Sequence, residues 1–112
     1  MLRHDLFSLR LFARVCELRS LSRAAAELGI ATSAASRRLS QLEHEAKTPL
    51  LKRRPHGVEP TAAGLVMLRY ANEVIEQGER LEATMAEYRT GVRGHVRVFA
   101  SSSILVQRLA AD

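Results

Sequence analysis

The start of the chain carries apolar residues at steps of three and four, which is the spacing of one face of an α-helix. We expect a first helix over residues 5–19 with its apolar side turned toward a core. That side is formed by Leu6, Leu9, Phe12, Ala13 and Cys16.

A short helix and a tight turn are predicted next. Ser20 and Ser22 offer hydroxyl oxygens that can cap a helix with the sequence RAAAEL. Gly29 ends this helix, because glycine readily adopts the left-handed conformation that a tight turn requires. Ala25 lies four residues before Gly29, where a small side chain lets two helices pack closely. A third helix follows at once, which is the order of a helix-turn-helix.

The third helix is predicted over residues 33–46 and separates its side chains into two faces. With an advance of about 100° per residue, the buried face is a stripe of roughly 60° formed by Ala35, Leu39, Leu42 and Ala46. The opposite arc of roughly 140° carries Ser33, Ser36, Arg37, Ser40, Gln41 and His44. Short hydroxyls and an arginine suit a helix that enters a DNA groove about 12 Å wide. An ordinary solvated surface is the alternative for this face.

The segment TPLLKRRPHGVEPT cannot continue the helix, because it holds three prolines and a glycine. We expect two short strands anchored by Leu50, Leu51 and Val58, joined by the turn RRPHG to form a wing. The densest basic run of the chain lies here, and it can contact phosphates or point into a minor groove: Lys52, Arg53 and Arg54. A solvated loop is the alternative.

A long helix is predicted over residues 62–89, with Thr61 as its cap. Its apolar or small residues alternate at four and three positions, which is a seven-residue repeat typical of a helix that packs against a partner helix. We expect a second copy of the chain to cover this seam, although such a stripe can also pack on its own domain. The seam consists of Met67, Ala71, Val74, Gly78, Leu81, Met85 and Tyr88.

The end of the chain marks a further boundary. Gly91 and Gly94 stop the long helix, and residues 95–100 alternate polar and apolar side chains in the manner of a strand. We therefore expect a domain over residues 1–60, a linker helix over 61–90, and over 91–112 a hinge and the start of a second, truncated domain.

The formal net charge of +5 is confined to the first half of the chain. Residues 1–60 hold eleven Lys or Arg against six Asp or Glu, whereas residues 61–112 hold six of each. A basic half beside a neutral half indicates a polyanionic partner. The chain has no tryptophan, and its first phenylalanines are spaced as core residues, so stacking on single-stranded bases is disfavoured. Duplex DNA is the better candidate.

Several other classes find no support. No apolar run is long enough to span a membrane, and the basic start lacks the apolar core of a secretory signal, so we expect a cytoplasmic protein. Cys16 is the only cysteine and the histidines are far apart, which leaves no metal-ligand spacing. No catalytic motif stands out. We expect no enzyme activity and no cofactor.

These segments together resemble the LysR-type transcriptional regulators. The resemblance covers nearly the whole chain and rests on SLSRAAAELGIATSAASRRLSQLE, PLLKR, PTAAG and GHVRVFAS, in that order. It implies a mainly α fold, a winged helix-turn-helix followed by a long dimerisation helix. It also implies double-stranded DNA as the partner, a homodimer through the linker helix, and a small effector bound by a carboxyl-terminal domain that this chain lacks.

The resemblance also implies which residues meet DNA. It places Thr32, Ser33, Ser36, Arg37 and Arg38 at the DNA-facing end of the third helix, and of these we expect Arg37 to contact a base or a key phosphate. The full set of expected DNA-contacting residues is Ser22, Arg23, Thr32, Ser33, Ser36, Arg37, Arg38, Arg53, Arg54 and His56.

The chain departs from the family pattern at three places. The third helix starts with Ala31, Thr32 and Ser33 instead of a serine–glutamine pair, so Thr32 or Ser33 is expected to cap it, and base preference changes where threonine replaces glutamine. Lys47 occupies a position where glycine is common. His56 replaces a wing arginine, so wing affinity depends on its arginines and increases when the imidazole takes up a proton.

Sequence-specific binding of duplex DNA is thus the leading hypothesis. The alternative is a helical protein-interaction module, in which the seam is the functional surface and the basic half only keeps the chain soluble. An enzyme is the weakest of the three hypotheses.

Overall fold

The computed structural model describes residues 4–91. Their elements are α1 Leu6–Leu18, α2 Leu21–Glu27, α3 Thr32–Ala46, β1 Leu51–Arg54, β2 Gly57–Pro60 and α4 Ala62–Thr90. The predicted fold class is confirmed: short helices, a two-stranded wing and a long helix follow one another in the expected order. The strand predicted over residues 95–100 lies outside the described residues. No helix within residues 4–91 combines the length and apolar character needed to cross a membrane.

Three helices begin at a side chain that caps their first turn. In each case the capping oxygen accepts a hydrogen bond from the backbone N–H three residues later, over 2.8 Å for Asp5, 3.1 Å for Ser20 and 2.9 Å for Thr61. Such caps satisfy backbone donors that have no partner within the helix. The predicted capping roles of Ser20 and Thr61 are confirmed.

The start of α3 differs from expectation. Ala31 occupies the N-cap position with extended backbone angles, and no side chain caps the helix. The prediction that Thr32 or Ser33 caps α3 is therefore wrong. The chain enters the helix one residue earlier than predicted, so Thr32 is already the first helical residue. The free N–H groups of this first turn remain available to a ligand.

The chain divides into two compact units, Met1–Glu76 and Gln77–Asp112. The core of the first unit is built from its helices and the start of the wing. Its largest fully buried side chains are Phe12, Leu9, Leu11, Leu42, Leu50 and Val15. Cys16 also lies in this core, and burial raises the pKa of its thiol to about 11. The predicted place of Cys16 on the core-facing side of the first helix is confirmed.

The first unit extends beyond residue 60, where the sequence predicted a domain boundary. Met67 is 7% exposed and Ala71 is 0% exposed, and both pack into the core of the first unit. Val74 is half-buried against the same core. This corrects the expectation that Met67 and Ala71 form the dimer interface, because the chain's own core already covers their side chains. The beginning of α4 belongs to the first unit in its packing.

The wing is a two-stranded antiparallel sheet in which Leu51 pairs with Pro60 and Arg54 pairs with Gly57. It is tied to the end of α1, because the backbone N–H of Val58 donates to the carbonyl oxygen of Arg19 over 3.3 Å. Gly57 permits this approach, since a Cβ on it would overlap the Arg19 carbonyl oxygen. The wing position therefore depends on backbone contacts with α1.

A carboxylate joins the wing to α3. The Oε2 atom of Glu43 accepts hydrogen bonds from the backbone N–H groups of Leu50 and Leu51, over 2.7 and 3.1 Å. These donors lie where the chain leaves α3 and enters β1, and both bonds are partly buried. Glu43 thus fixes the start of the wing relative to the third helix.

Replacing Gly64 by alanine is expected to destabilise the first unit by about 1–3 kcal/mol, the usual cost of overpacking a core. The new Cβ would overlap the carbonyl oxygen of Leu50, which is backbone and cannot rotate away. Urea unfolding of the two proteins measures the difference. Gly78→Ala is the control, because a Cβ there meets nothing within 4 Å and should increase helix stability by up to about 1 kcal/mol. Equal unfolding midpoints for Gly64→Ala and the wild type would contradict the packing.

Replacing Glu43 by alanine leaves two partly buried N–H groups without an acceptor, and we expect a loss of about 1–3 kcal/mol in the free energy of unfolding. Glu43→Gln retains a carbonyl oxygen and should lose less. Glu73→Ala is the control, because Glu73 is exposed on α4 and should change stability by no more than about 0.5 kcal/mol. Chemical denaturation in which Glu43→Ala matches this control would show that the carboxylate does not hold the wing.

Candidate nucleic-acid interface

The start of α3, the start of α2 and the wing surround a polar cleft on the first unit, which we call the basic cleft. It gathers many of the predicted DNA-contacting residues in one place, although they are far apart in the sequence. Its lining includes Ser22, Thr32, Ser36, Arg53, Arg54 and His56, together with Arg19 and Ser20, which the sequence analysis did not assign to DNA.

The outward face of α3 borders this cleft. Thr32, Ser33 and Arg37 are exposed, and Ser36 is half-buried where the helix meets the wing. Arg37 has no hydrogen-bond or ion-pair partner among residues 4–91. Its guanidinium therefore keeps all its donors available for a phosphate or for the acceptor edge of a guanine.

Arg38 lies in a different environment from its neighbour Arg37. Its Nη1 atom donates to Asp5 Oδ2 and to Ser8 Oγ, each over 3.2 Å. Its guanidinium carbon also lies 4.6 Å from the centre of the Phe7 ring, a cation–π distance. The structure thus places Arg38 against the start of α1 and away from the Arg37 face, which differs from the position that the family resemblance implies. Its contacts link α3 to α1.

The helical geometry explains this separation. At about 100° per residue, Arg38 points about 40° from the buried Leu42 and about 100° from Arg37. Asp5 completes the arrangement, because its carboxylate caps α1 and also faces the guanidinium. The pKa of Asp5 lies below its ordinary value, chiefly because the backbone and side chain of Ser8 donate hydrogen bonds to it, with a smaller contribution from Arg38.

The two wing arginines also differ. Arg54 donates from Nε to the carboxylate of Glu59 on the facing strand, and Arg19 lies 3.6 Å from the same carboxylate. The pKa of Glu59 is lowered, chiefly by the hydrogen bond from Arg54. Arg53 is exposed and has no ion-pair partner in the described part of the chain. It lies close to Ser36, since both residues line the basic cleft and also line a second cavity of the first unit.

The remaining predicted residues are His56 and Ser22, which also line the basic cleft, and Arg23, which does not. His56 is exposed in the turn between the strands. Ser22 is exposed in the first turn of α2, with its hydroxyl 3.3 Å from that of Ser20. Arg23 is exposed on the same helix and lies in the electrostatic field of Glu27.

Sequence reasoning missed three residues that organise the site: Arg19, Glu43 and Glu59. Two of them carried a signal. Glu43 lies close to the buried stripe on the helical wheel of α3, where a carboxylate needs a partner. Glu59 is the lone acid in a basic hairpin, opposite Lys52 in the register. Arg19 carried no such signal in the sequence. It is the residue in the left-handed conformation that ends α1, and only folding brings it beside the wing.

The chemistry of this surface is that of hydrogen-bond donation and positive charge. Hydroxyls and guanidinium groups donate to phosphate oxygens and to base acceptors. Between residues 4 and 91 no group of three or more potential metal ligands comes together.

Comparison with known protein families gives an independent result. Residues 6–65 match the model of the bacterial regulatory helix-turn-helix proteins of the lysR family. This stretch runs from the start of α1 to the first turn of α4, so it includes the helix-turn-helix and the wing.

Similar curated proteins are named as HTH-type transcriptional regulators. The chain is 35% identical over 97 residues to an HTH-type transcriptional regulator of Mycobacterium tuberculosis, covering 87% of this chain and 31% of that protein. It is 37% identical over 78 residues to the HTH-type transcriptional regulator CzcR of Bacillus subtilis, covering 70% of this chain and 27% of CzcR. The chain thus spans about a third of the length of these relatives.

Solved structures of similar chains contain DNA. The BenM DNA-binding domain in complex with catB site 1 DNA superposes with a TM-score of 0.75 at 30% identity, covering 81% of this chain and 98% of that one. The CbnR DNA-binding domain in complex with DNA gives a TM-score of 0.67 at 28% identity, covering 80% and 99%. The matched sequence, the named relatives and the shared fold agree: the chain belongs to the LysR family of bacterial regulatory helix-turn-helix proteins.

Proposed function

We propose that this LysR-type DNA-binding domain recognises a specific duplex sequence as a homodimer. The outward face of α3 enters the major groove, and the wing follows the phosphate backbone. The observation that carries this proposal is the exposed, unpartnered Arg37, which lies one helical turn after Ser33 on α3. Thr32 and Ser36 of the same helix line the basic cleft. The DNA in the structures of BenM and CbnR supports the choice of ligand.

The proposed contacts divide between reading and positioning. Arg37 reads a base edge or a key phosphate, because an unpartnered guanidinium on a slim helix face can reach into a groove. Arg53 contacts the phosphate backbone from the wing, with His56 and Arg54 beside it. Ser22 and Arg23 lie in the first turn of α2 and contact the backbone at the edge of the site.

The proposed dimer uses the seam of the second unit. Leu81 is 62% exposed, Met85 is 41% exposed and Tyr88 is 74% exposed, so the described chain leaves three large apolar side chains to water. A second copy that buries them gains the hydrophobic free energy of the covered area. Gly78 lies on the same repeat, and the space around its Cα admits a close neighbour. Two linked domains then contact two half-sites.

For the whole protein, we make two further proposals that rest on the family resemblance. A small-molecule effector binds to a carboxyl-terminal domain and thereby alters the binding of DNA by the DNA-binding domain. The protein works in the cytoplasm, where bacterial DNA lies, and serves transcription without a cofactor or a catalytic reaction of its own.

Selection of bound sequences from a random duplex pool should enrich one motif, and affinity for that motif should fall as salt increases. The expected slope of log affinity against log salt is about −0.9 for each phosphate neutralised. A pool that enriches no motif would favour the alternative function, a helical interaction module. A slope near zero would exclude phosphate contacts.

Arg37→Ala should weaken binding to the selected duplex by about 1–3 kcal/mol and relax the preference at one base position, because alanine removes the donors that would pair with that base. Arg10→Ala is the control, since Arg10 is exposed on α1 and its replacement removes the same charge outside the basic cleft. Fluorescence anisotropy with matched and mismatched duplexes measures both effects. Equal affinity and equal selectivity in the two variants would remove Arg37 from the interface.

Leu81→Glu should weaken self-association, because a carboxylate would be buried in an apolar seam. Leu65→Glu is the matched control, since Leu65 is 54% exposed on α4 but lies outside the seven-residue repeat. Sedimentation velocity over a range of concentrations gives the dimer fraction of each variant. A monomeric wild type, or equal weakening by the two changes, would exclude the proposed seam.

A further inference from the structure

Glu59 places an acidic group beside the basic cleft, in contact with arginines that line it. It lies on β2, opposite Lys52 in the strand register, and its carboxylate accepts a hydrogen bond from Arg54. Arg19 lies 3.6 Å from the same carboxylate, although it comes from the end of α1. One negative charge therefore faces three cations, while Arg53 on the same wing is left without a partner in the described chain.

Both arginines that face Glu59 also line the basic cleft, where the proposed phosphate contacts are made. A guanidinium that donates to a carboxylate has fewer N–H groups left for a phosphate oxygen. The negative charge of the carboxylate also weakens the attraction between the guanidinium and a phosphate. The side chain of Arg54 is 51% exposed and that of Arg19 is 61% exposed, so these ion pairs are in contact with water. Exposed ion pairs are weak, and a phosphate can therefore compete with the carboxylate for the same donors.

We propose that Glu59 limits the affinity of the wing for the DNA backbone by competing with phosphate for Arg54 and Arg19. This inference rests on the proposed DNA-binding function and names a residue that tunes it. The effect is independent of base sequence, because Glu59 acts on cations that meet the backbone. Glu59 is thus a determinant of how strongly the domain holds any duplex, and Arg37 is a determinant of which duplex it prefers.

The wing is also held by contacts that do not involve this carboxylate. The wing is held by its strand pairing, by the bond from Val58 to Arg19 and by Glu43 at its start. Glutamine at position 59 keeps the length and an acceptor oxygen of the side chain while removing the charge. Glu59→Gln therefore changes the competition and leaves the wing in place.

The test compares the full chain as wild type, Glu59→Gln and Glu17→Gln, with binding to the selected duplex and to a scrambled duplex measured over a salt series. Glu17→Gln is the control: it makes the same change in net charge and also removes a carboxylate that pairs with an arginine, Arg14, but outside the cleft. We expect Glu59→Gln to bind both duplexes about two- to fivefold more tightly than the control at low salt. Its salt slope should steepen by up to about 0.9 for each additional phosphate that the wing neutralises.

A second variant identifies the cation that is released. Arg54→Gln in the Glu59→Gln background should remove most of the increase in affinity, and circular dichroism of each variant checks that the fold is retained. If Glu59→Gln binds like Glu17→Gln, or more weakly, Glu59 does not compete with phosphate and the inference is overturned while DNA binding stands. A wild-type chain that binds no duplex in a salt-dependent way would overturn the proposed function, and this inference with it.

Discussion

The carboxylate of Glu43 connects the two elements on which the interface depends. It belongs to α3 and accepts hydrogen bonds from the backbone N–H groups of Leu50 and Leu51, so it ties the third helix to the beginning of the wing. Because these N–H groups are partly buried, water is a poorer acceptor for them than the carboxylate, and loss of the carboxylate lowers the free energy of unfolding. The position of Arg53 beside Ser36 follows from this constraint, since the strand that carries Arg53 starts at Leu51. A DNA-binding surface made from two separate segments needs such a connection to keep a fixed spacing.

The arginines around this surface have three different environments, and charge alone does not distinguish them. Arg37 and Arg53 are exposed and have no partner within residues 4–91, whereas Arg54 shares Glu59 with Arg19. Arg38 is bound to the start of α1. The net charge of the first half therefore overstates the charge that faces a ligand. An unpaired arginine has all its donors available to a ligand, whereas a paired arginine has fewer.

Periodicity and turn chemistry predicted most of the fold because they act locally. The apolar steps of α1, the stripe of α3 and the glycine after α2 each specify a structure within a few residues. The start of α3 was missed because its serine and threonine suggested a cap. The helix instead begins one residue earlier, at Thr32, and the N-cap residue Ala31 has no side-chain oxygen to cap it. The seam of α4 was only half predictable: its repeat shows which residues share a face, but not that Met67 and Ala71 are covered by their own core.

The site was less predictable than the fold, because its contacts join residues that are distant in sequence. Composition and motif order pointed to the basic face and the wing. They did not show that Asp5 holds Arg38, that Arg19 reaches the wing, or that Glu59 faces both wing and helix cations. These pairings depend on how α1 crosses α3 and on where the wing lies against α1, and neither is encoded in a short segment.

The central claim is that the outward face of α3 reads duplex DNA through Arg37. A crystal structure of the chain bound to its selected duplex tests this most directly. We expect the N-terminal half of α3 to lie in the major groove, with the guanidinium of Arg37 within hydrogen-bonding distance of a base edge or a phosphate. A complex in which α3 lies outside the groove, or in which Arg37 faces away from the duplex, would contradict it.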